Sequence, residues 1–477
     1  MEQEDKKKAL LEVKMFLATI VLLAILIAVS GICSYVIPAG DYVKTTVNGT
    51  TQQVYHTIDQ TPLPVWKIAL APLLVLGSKN GPRIIVLILF IFIIGGSFSV
   101  MNKSGILPRL ISDLVMRFKD RKRLFIFINV AVFALLGSTM GILEEVTPLI
   151  LIFIPLAYQM KWDSIVGVSI PFVSVTIGFS AATFNPFTLG TAQGLAGIPL
   201  FSGLFLRVPI LIVTIIIVTL YILWYIRRIE NDPAKSYVYG SDMEIKALTH
   251  YEDVVLHQGK VKPALMWMGI CFLGIIASVA LCSSVKSLQD LSFPLIALMF
   301  LIMGFSVGIA SGYEFKKVFK LFKDGLIDFS PAIILILMAS SIGWLIEEGN
   351  IMDTIMYTVS MHTQGMSREI SAVIMYLFQL FMNFLVSSGS GQAMLTIPIM
   401  SQLGDVLGLT RQITVLAFQL GDGFSHAFWP TNPLLMVVIG LAGIKYKDWF
   451  KFMLPLQVIL ATTSIIFLLI AVKINYS

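Results

Sequence analysis

Six runs of about twenty residues, at 15–37, 83–101, 208–226, 264–282, 291–310 and 452–472, carry no charged residue in their interiors. A hydrocarbon core of ~30 Å takes roughly 20 apolar residues per helix, so each run is long enough to span a bilayer. No soluble domain stores apolar residues this way, because its helices need one solvated face. With 57% hydrophobic and 13% charged residues and a mean hydropathy of +0.86, the solvent for most of this chain is lipid. The first run follows Lys6, Lys7, Lys8 and Lys14 in the manner of a signal peptide. It is too long for one and ends in Val36-Ile37-Pro38, so we read it as a retained span.

The net charge of +6 is distributed as topology, with basic clusters at 6–14, 117–123, 227–262, 316–323 and 445–451 beside the apolar runs. That pattern excludes a nucleic-acid partner. Segment 40–65 holds only Lys44 and is expected outside, which makes the amino terminus cytoplasmic and the carboxyl terminus extracytoplasmic, with about nine full spans. The cysteines Cys33, Cys271 and Cys282 have no metal-ligand spacing.

The chain repeats itself. Gly-Leu-Ala-Gly-Ile stands at 194–198 and at 440–444, Gly178-Phe179-Ser180 matches Gly423-Phe424-Ser425, and Asn185-Pro186 matches Asn432-Pro433. Ser138, Gly141 and Pro148 align with Ser388, Gly391 and Pro398, and Pro82 with Pro331. An odd number of crossings between the copies inverts the second. The expected architecture is an all-α polytopic membrane protein of two inverted repeats: a cytoplasmic tail 1–14, a first repeat 15–226, a loop and linker span 227–290, and a second repeat 291–477. In each repeat apolar helices are interrupted where a span should be continuous. We expect re-entrant helical hairpins at about 124–158 and 369–401 and broken helices at about 163–198 and 410–445. Lys316, Lys317, Lys320 and Lys323 alternate with Phe315, Val318, Phe319 and Phe322 as in an interfacial helix, and 106–116 reads similarly.

Non-helical backbone at membrane depth is tolerated only where it is buried in protein or lines a wet cavity, so paired interruptions point to a transport site. The substrate-binding candidates are Glu144, Glu145, Asn185, Ser388, Ser390, Gln392, Thr431 and Asn432. For a coupling ion or proton they are Ser138, Thr139, Asp422 and His426, and a sodium ion could be ligated at Ser138, Asn185, Ser388 and Asn432. Two adjacent carboxylates in a membrane protein repel and resist desolvation, so Glu144-Glu145 calls for a cation: a substrate's, a sodium ion or a proton. The alternative is a Glu capping a half-helix beside a fixed Arg or Lys. The second copy has Met394-Leu395 instead, so the halves are chemically unequal. Asp422 and His426, four residues apart, form a proton relay or a structural hydrogen bond.

The residues Gly141-Ile142-Leu143-Glu144-Glu145, Ser388-Gly389-Ser390-Gly391-Gln392-Ala393 and Pro430-Thr431-Asn432-Pro433 carry a resemblance to the YfcC-like branch of the four-carbon dicarboxylate anaerobic carrier family, within the ion-transporter superfamily. The resemblance implies a substrate held between hairpin tips and broken helices, homodimers in the cell membrane and an elevator-like movement. It further implies exchange of basic amino acids such as arginine and ornithine, while other branches carry dicarboxylates. Relatives with a Ser-Asn-Thr signature at both tips differ from Ser138-Thr139-Met140 and Ser388-Gly389-Ser390 here, which leaves sodium and proton coupling both open. A dicarboxylate would require an Arg or Lys at a tip; none is expected there, and Arg207 is the nearest intramembrane candidate. A secondary transporter of basic amino acids therefore leads, ahead of an ion-coupled dicarboxylate carrier and, remotely, a membrane-embedded enzyme. No cofactor beyond a coupling ion is expected.

Overall fold

The computed structural model describes residues 2–47, 50–118, 120–242, 261–285, 288, 291–363 and 365–477. Half of the loop expected at 227–262, residues 243–260, lies outside them. Among the described residues seven helices are long and apolar enough to cross a membrane: Leu17–Val36, Gly81–Lys103, Lys122–Met140, Leu204–Asn231, Val261–Cys282, Phe315–Glu348 and Tyr446–Lys473. About nine were expected; two further apolar helices, Ser164–Ser180 and Pro294–Ala310, are shorter. Ile212, Ile216 and Leu220 stand about half-exposed along one stripe of the Leu204–Asn231 helix, which suits lipid and not water.

The all-α expectation needs correction. Gly40–Val47 and Thr50–Thr57 form an antiparallel hairpin pairing Gly40 with Thr57 and Tyr42 with Tyr55. The signal was present in the sequence, since Asn48-Gly49 between β-branched residues is a hairpin signature. The hairpin docks on the Met352–Thr363 helix: Tyr55 stacks on Tyr357 at 4.1 Å, and the Tyr42 amide donates to Asp353 Oδ2 at 3.0 Å.

Helices approach closely where glycine permits. A Cβ on Gly178 would stand 1.9 Å from the Ala134 carbonyl oxygen, and one on Gly137 2.3 Å from that of Val175, so Lys122–Met140 and Ser174–Ser180 touch backbone to backbone. A Cβ on Gly423 would meet Ser180 Cα at 2.4 Å, which fixes the crossing of the two interrupted helices, one from each half. The Phe315–Asp328 helix buries Val318, Phe322 and Gly325 and turns its lysines outward, seating Phe322 and Phe329 against Gly96 and Gly95.

Gly178→Ala is expected to cost about 1–3 kcal/mol through overpacking, read as a lower thermal midpoint of the purified protein. Burial raises the Asp353 carboxyl above its ordinary value. The folded state then holds this proton more tightly than the unfolded, so the stability it contributes is present at low pH and lost as pH rises from about 4 through the raised value. Intrinsic-rate-corrected hydrogen-exchange protection at the Tyr42 amide should fall over that range, and Asp353→Asn should flatten the dependence.

Candidate functional site

The Lys122–Met140 helix ends at Gly141, whose φ of 72° is a left-handed conformation that glycine adopts without strain. A short turn, Glu144–Val146, leads into Thr147–Gln159 with Pro148 in its first turn. Ser138 is fully buried: its Oγ donates to the Ala181 carbonyl at 2.8 Å and accepts the Thr183 amide at 3.1 Å, tying this tip to the first interruption. Thr139 bonds back to the Leu135 carbonyl within its own helix. Neither lines either of the two cavities described below.

In the second half Arg368–Leu385 is followed by Gly389–Val406, which Ser388 caps by accepting the Gly391 amide. Gln392 turns away from the tip opening. Its Nε2 donates to the Gln379 carbonyl and Oε1, each at 2.8 Å, and so fastens the two arms of the hairpin together.

Both interruptions use one device. Asn185 Oδ1 accepts the Phe187 and Thr188 amides at 2.9 and 3.2 Å, opening the wide turn Pro186–Gly190 that continues as Thr191–Ala196. Asn432 Oδ1 accepts the Leu434 amide at 3.0 Å to open Pro433–Leu441. Each helix closes on the repeated pentapeptide with left-handed Gly197 or Gly443, and the amide of Ile198 or Ile444 donates back to Gln193 or Ile439. Proline at the first helical position suits this start because it lacks the amide that would go unpaired.

Asp422 and His426 come together with Asn383, all but sealed from solvent. Asn383 Nδ2 donates to Asp422 Oδ1 at 2.8 Å, and His426 Nε2 lies 3.3 Å from the same oxygen. Asn432 Oδ1 is committed to its cap, so Nδ2 faces His426 Nδ1 at 3.2 Å and donates to the His426 carbonyl at 2.8 Å. His426 Nε2 also lies 3.3 Å from Asn383 Nδ2, so each ring nitrogen stands beside an amide group able to donate to it. Asp422 Oδ2 has no protein partner.

A cavity of about 540 Å³ lies between the tips and interruptions. Glu144, Glu145, Ser388, Ser390, His426 and Asn432 line it, as do Lys79 and Arg83. Thr431 lines an adjoining pocket of about 140 Å³ shared with Arg83 and Glu144. Five helix starts converge on the larger space: Gly81, Thr147, Gly389, Pro433 and the Pro186 turn. Side chains cap three of them, at Ser388, Asn185 and Asn432, yet each start still presents the positive end of its helix dipole, a bias that favours a carboxylate and against which the two Glu supply negative charge.

Arg83 overturns the expectation that no cation reaches a tip. Its Nη2 lies 3.3 Å from Glu144 Oε1 and its Nη1 donates to Ser388 Oγ at 3.1 Å, joining the two tips. Sequence reading placed Arg83 at the edge of a span and passed over it. The available signal was a cation in the first turn of a helix, where the dipole disfavours it. Arg207, by contrast, is buried against Tyr476 and lines neither space. Trp429 donates to the Leu380 carbonyl and packs on Phe384 and Phe428.

Apolar spans around a charged cavity capped by duplicated interruptions are what a solute carrier requires, and comparison with known proteins gives the same class: a multi-pass membrane transporter, not an enzyme. The family profile of the C4-dicarboxylate anaerobic carriers (DcuC) matches residues 16–473, and the chain belongs to that family. It is 30% identical over 388 residues to YfcC of Escherichia coli K12, covering 79% of this chain and 75% of that one. YfcC is named, provisionally, as a basic amino acid antiporter. An uncharacterized protein of Haemophilus influenzae is 27% identical over 81% of this chain and 75% of its own length. Among solved structures, the YdaH transporter of Alcanivorax borkumensis aligns at 14% identity and TM-score 0.44 over 97% of this chain and 99% of its own. MtrF of Neisseria gonorrhoeae, whose structural title describes a class of antimetabolite efflux pumps, aligns at 17% identity and TM-score 0.45 over 95% of both chains. Both scores are below 0.5 and identify neither fold nor function.

Gln392 and Ser390 sit two residues apart with opposite placements. Gln392→Leu should lower stability by roughly 1–2 kcal/mol through the lost buried bonds while ligand affinity holds. Ser390→Ala should weaken ligand binding with the thermal midpoint unchanged; isothermal titration and thermal unfolding separate the two.

Proposed function

We propose that this chain is a secondary active transporter of small zwitterionic solutes bearing an additional cation, basic amino acids such as arginine and ornithine first. The observation that carries this reading is a single cavity presenting Glu144 and Glu145 beside Arg83 and five helix starts, complementary charge for both ends of such a solute. The provisional naming of YfcC supports it. Glu144 and Glu145 take the side-chain cation; Arg83, Ser388, Ser390 and the caps at Asn185 and Asn432 take the carboxylate. Asp422, with its unpartnered oxygen, and His426 handle the coupling cation or proton, with Ser138 and Thr139 shaping the neighbouring tip.

In this reading the interruptions belong to two inverted repeats, each with a re-entrant hairpin and a broken helix, that carry solute by an elevator-like movement in a homodimer. The identical bonding at both repeated pentapeptides supports the duplication. The protein lies in the cell membrane, amino terminus in the cytoplasm and carboxyl terminus outside, which puts the Gly40–Val47 strand on the outer side.

In proteoliposomes, Glu144→Gln or Glu145→Gln is expected to reduce labelled arginine or ornithine uptake about tenfold or more, the scale of one lost charge contact of ~1.4 kcal/mol. Full uptake in both variants would overturn the assignment. A second reading, a sodium- or proton-coupled carrier of dicarboxylates, is favoured by Lys79 and Arg83 lining one cavity, two cations for two carboxylates. Competition decides between them: unlabelled succinate suppressing uptake where arginine does not would select the second.

A further inference from the structure

Arg83 occupies a position that local helix chemistry does not favour. It is the third residue of the Gly81–Lys103 helix, where the backbone dipole already presents positive charge, and Lys79 adds more just outside. Something other than helix stability accounts for a cation there. The guanidinium side chain is half exposed and borders both the 540 Å³ cavity and its 140 Å³ neighbour, so it stands between them.

Its bonds are those of a group held loosely. A guanidinium can grip one carboxylate through two parallel N–H donors, and charge-assisted bonds normally run about 2.7–2.9 Å. Here the fork is split between a single oxygen of Glu144 at 3.3 Å and the hydroxyl of Ser388 at 3.1 Å, and that hydroxyl also accepts the Gly391 amide. Ser388 and Glu144 stand beside the starts of Gly389–Val406 and Thr147–Gln159, which come from opposite halves of the chain.

We infer that Arg83 is a tethered stand-in for the substrate's cation that makes a carboxylate obligatory in the ligand. The inference rests on the amino acid reading above. An arriving ammonium or guanidinium takes Glu144 and displaces Arg83. The released fork, half exposed and facing Ser388 and the helix starts, loses its Glu144 bond and regains a carboxylate partner from the solute only when the same solute brings one. A site whose polar group is left unpaired by an analogue rejects that analogue far more strongly than one that merely loses a contact. A diamine therefore displaces Arg83 and strands it. A dicarboxylate offers nothing to Glu144, so the Arg83–Glu144 pair persists and occupies the anion position. One residue thus discriminates against both classes of solute that match only half of the site.

The test measures binding of arginine, agmatine and succinate to the purified full chain by isothermal titration, in the wild type, Arg83→Gln and Arg83→Lys. Agmatine is arginine without its carboxyl group. The wild type should bind arginine at least about tenfold more tightly than agmatine. Arg83→Gln should lose arginine affinity about tenfold while agmatine holds or gains, collapsing the preference to within about threefold. Arg83→Lys keeps the charge that balances Glu144, and with it the fold, but lacks the fork; it should retain the wild-type elution profile and still lose at least about threefold of the preference. Undiminished preference in either folded variant overturns the role of Arg83. A wild type that binds succinate but not arginine overturns the amino acid reading itself, a result distinguishable because it precedes any substitution.

Discussion

A helix interrupted among apolar helices leaves unpaired amides and carbonyls that lipid cannot satisfy, and the rest of this structure depends on how those groups are paired. Asn185 and Asn432 accept the first free amides, proline at the next position removes one more, and left-handed Gly197 and Gly443 return the chain so that Ile198 and Ile444 close the far end. Once these ends are satisfied locally, the broken segments can sit deep in the protein. Gly178 and Gly423 then let the two segments cross at contact distance, against Ala134 on one side and Ser180 on the other.

Satisfying the ends also sets the electrostatics. Helix starts, capped by a side chain or not, still direct their amino-terminal dipoles outward, and five of them border one cavity. A cavity so biased attracts anions in either half, which explains why the acidic pair occurs only once. Glu144 and Glu145 break the equivalence of the copies, where the second copy has Met394-Leu395, and Arg83 partly neutralises what they add. The balance between fixed positive ends and a movable ion pair distinguishes this cavity from a simple anion site.

The membrane-spanning character and the approximate places of the tips and breaks were legible in the sequence, because each rests on local chemistry: apolar length, an Asn-Pro start, a Gly-rich tip. The hairpin at Gly40–Thr57 was legible too, through Asn48-Gly49, but was masked by reading 40–65 only for its charge. Orientation within a tip was not legible. Ser388, Ser390 and Gln392 look alike as tip residues, yet Ser388 and Ser390 face the cavity while Gln392 binds Gln379, since direction depends on the helix phase after the cap. Arg83 lies 61 residues from Glu144 and 305 from Ser388, and no periodicity announces contacts at such separations.

The bonds around His426 connect what the sequence offers as two separate sites. Asn432 caps Pro433–Leu441 through Oδ1, which forces its Nδ2 onto His426; His426 Nε2 in turn lies 3.3 Å from Asp422 Oδ1, and Asn383 ties Asp422 to the helix that leads into the second tip. A cation or proton arriving at Asp422 Oδ2 changes the charge that His426 Nε2 faces, and His426 is held by the same Asn432 that lines the cavity. Under the proposed function, a cation or proton at the buried carboxylate and a solute in the cavity stand at the two ends of one chain of hydrogen bonds, and coupling between them is what that reading expects.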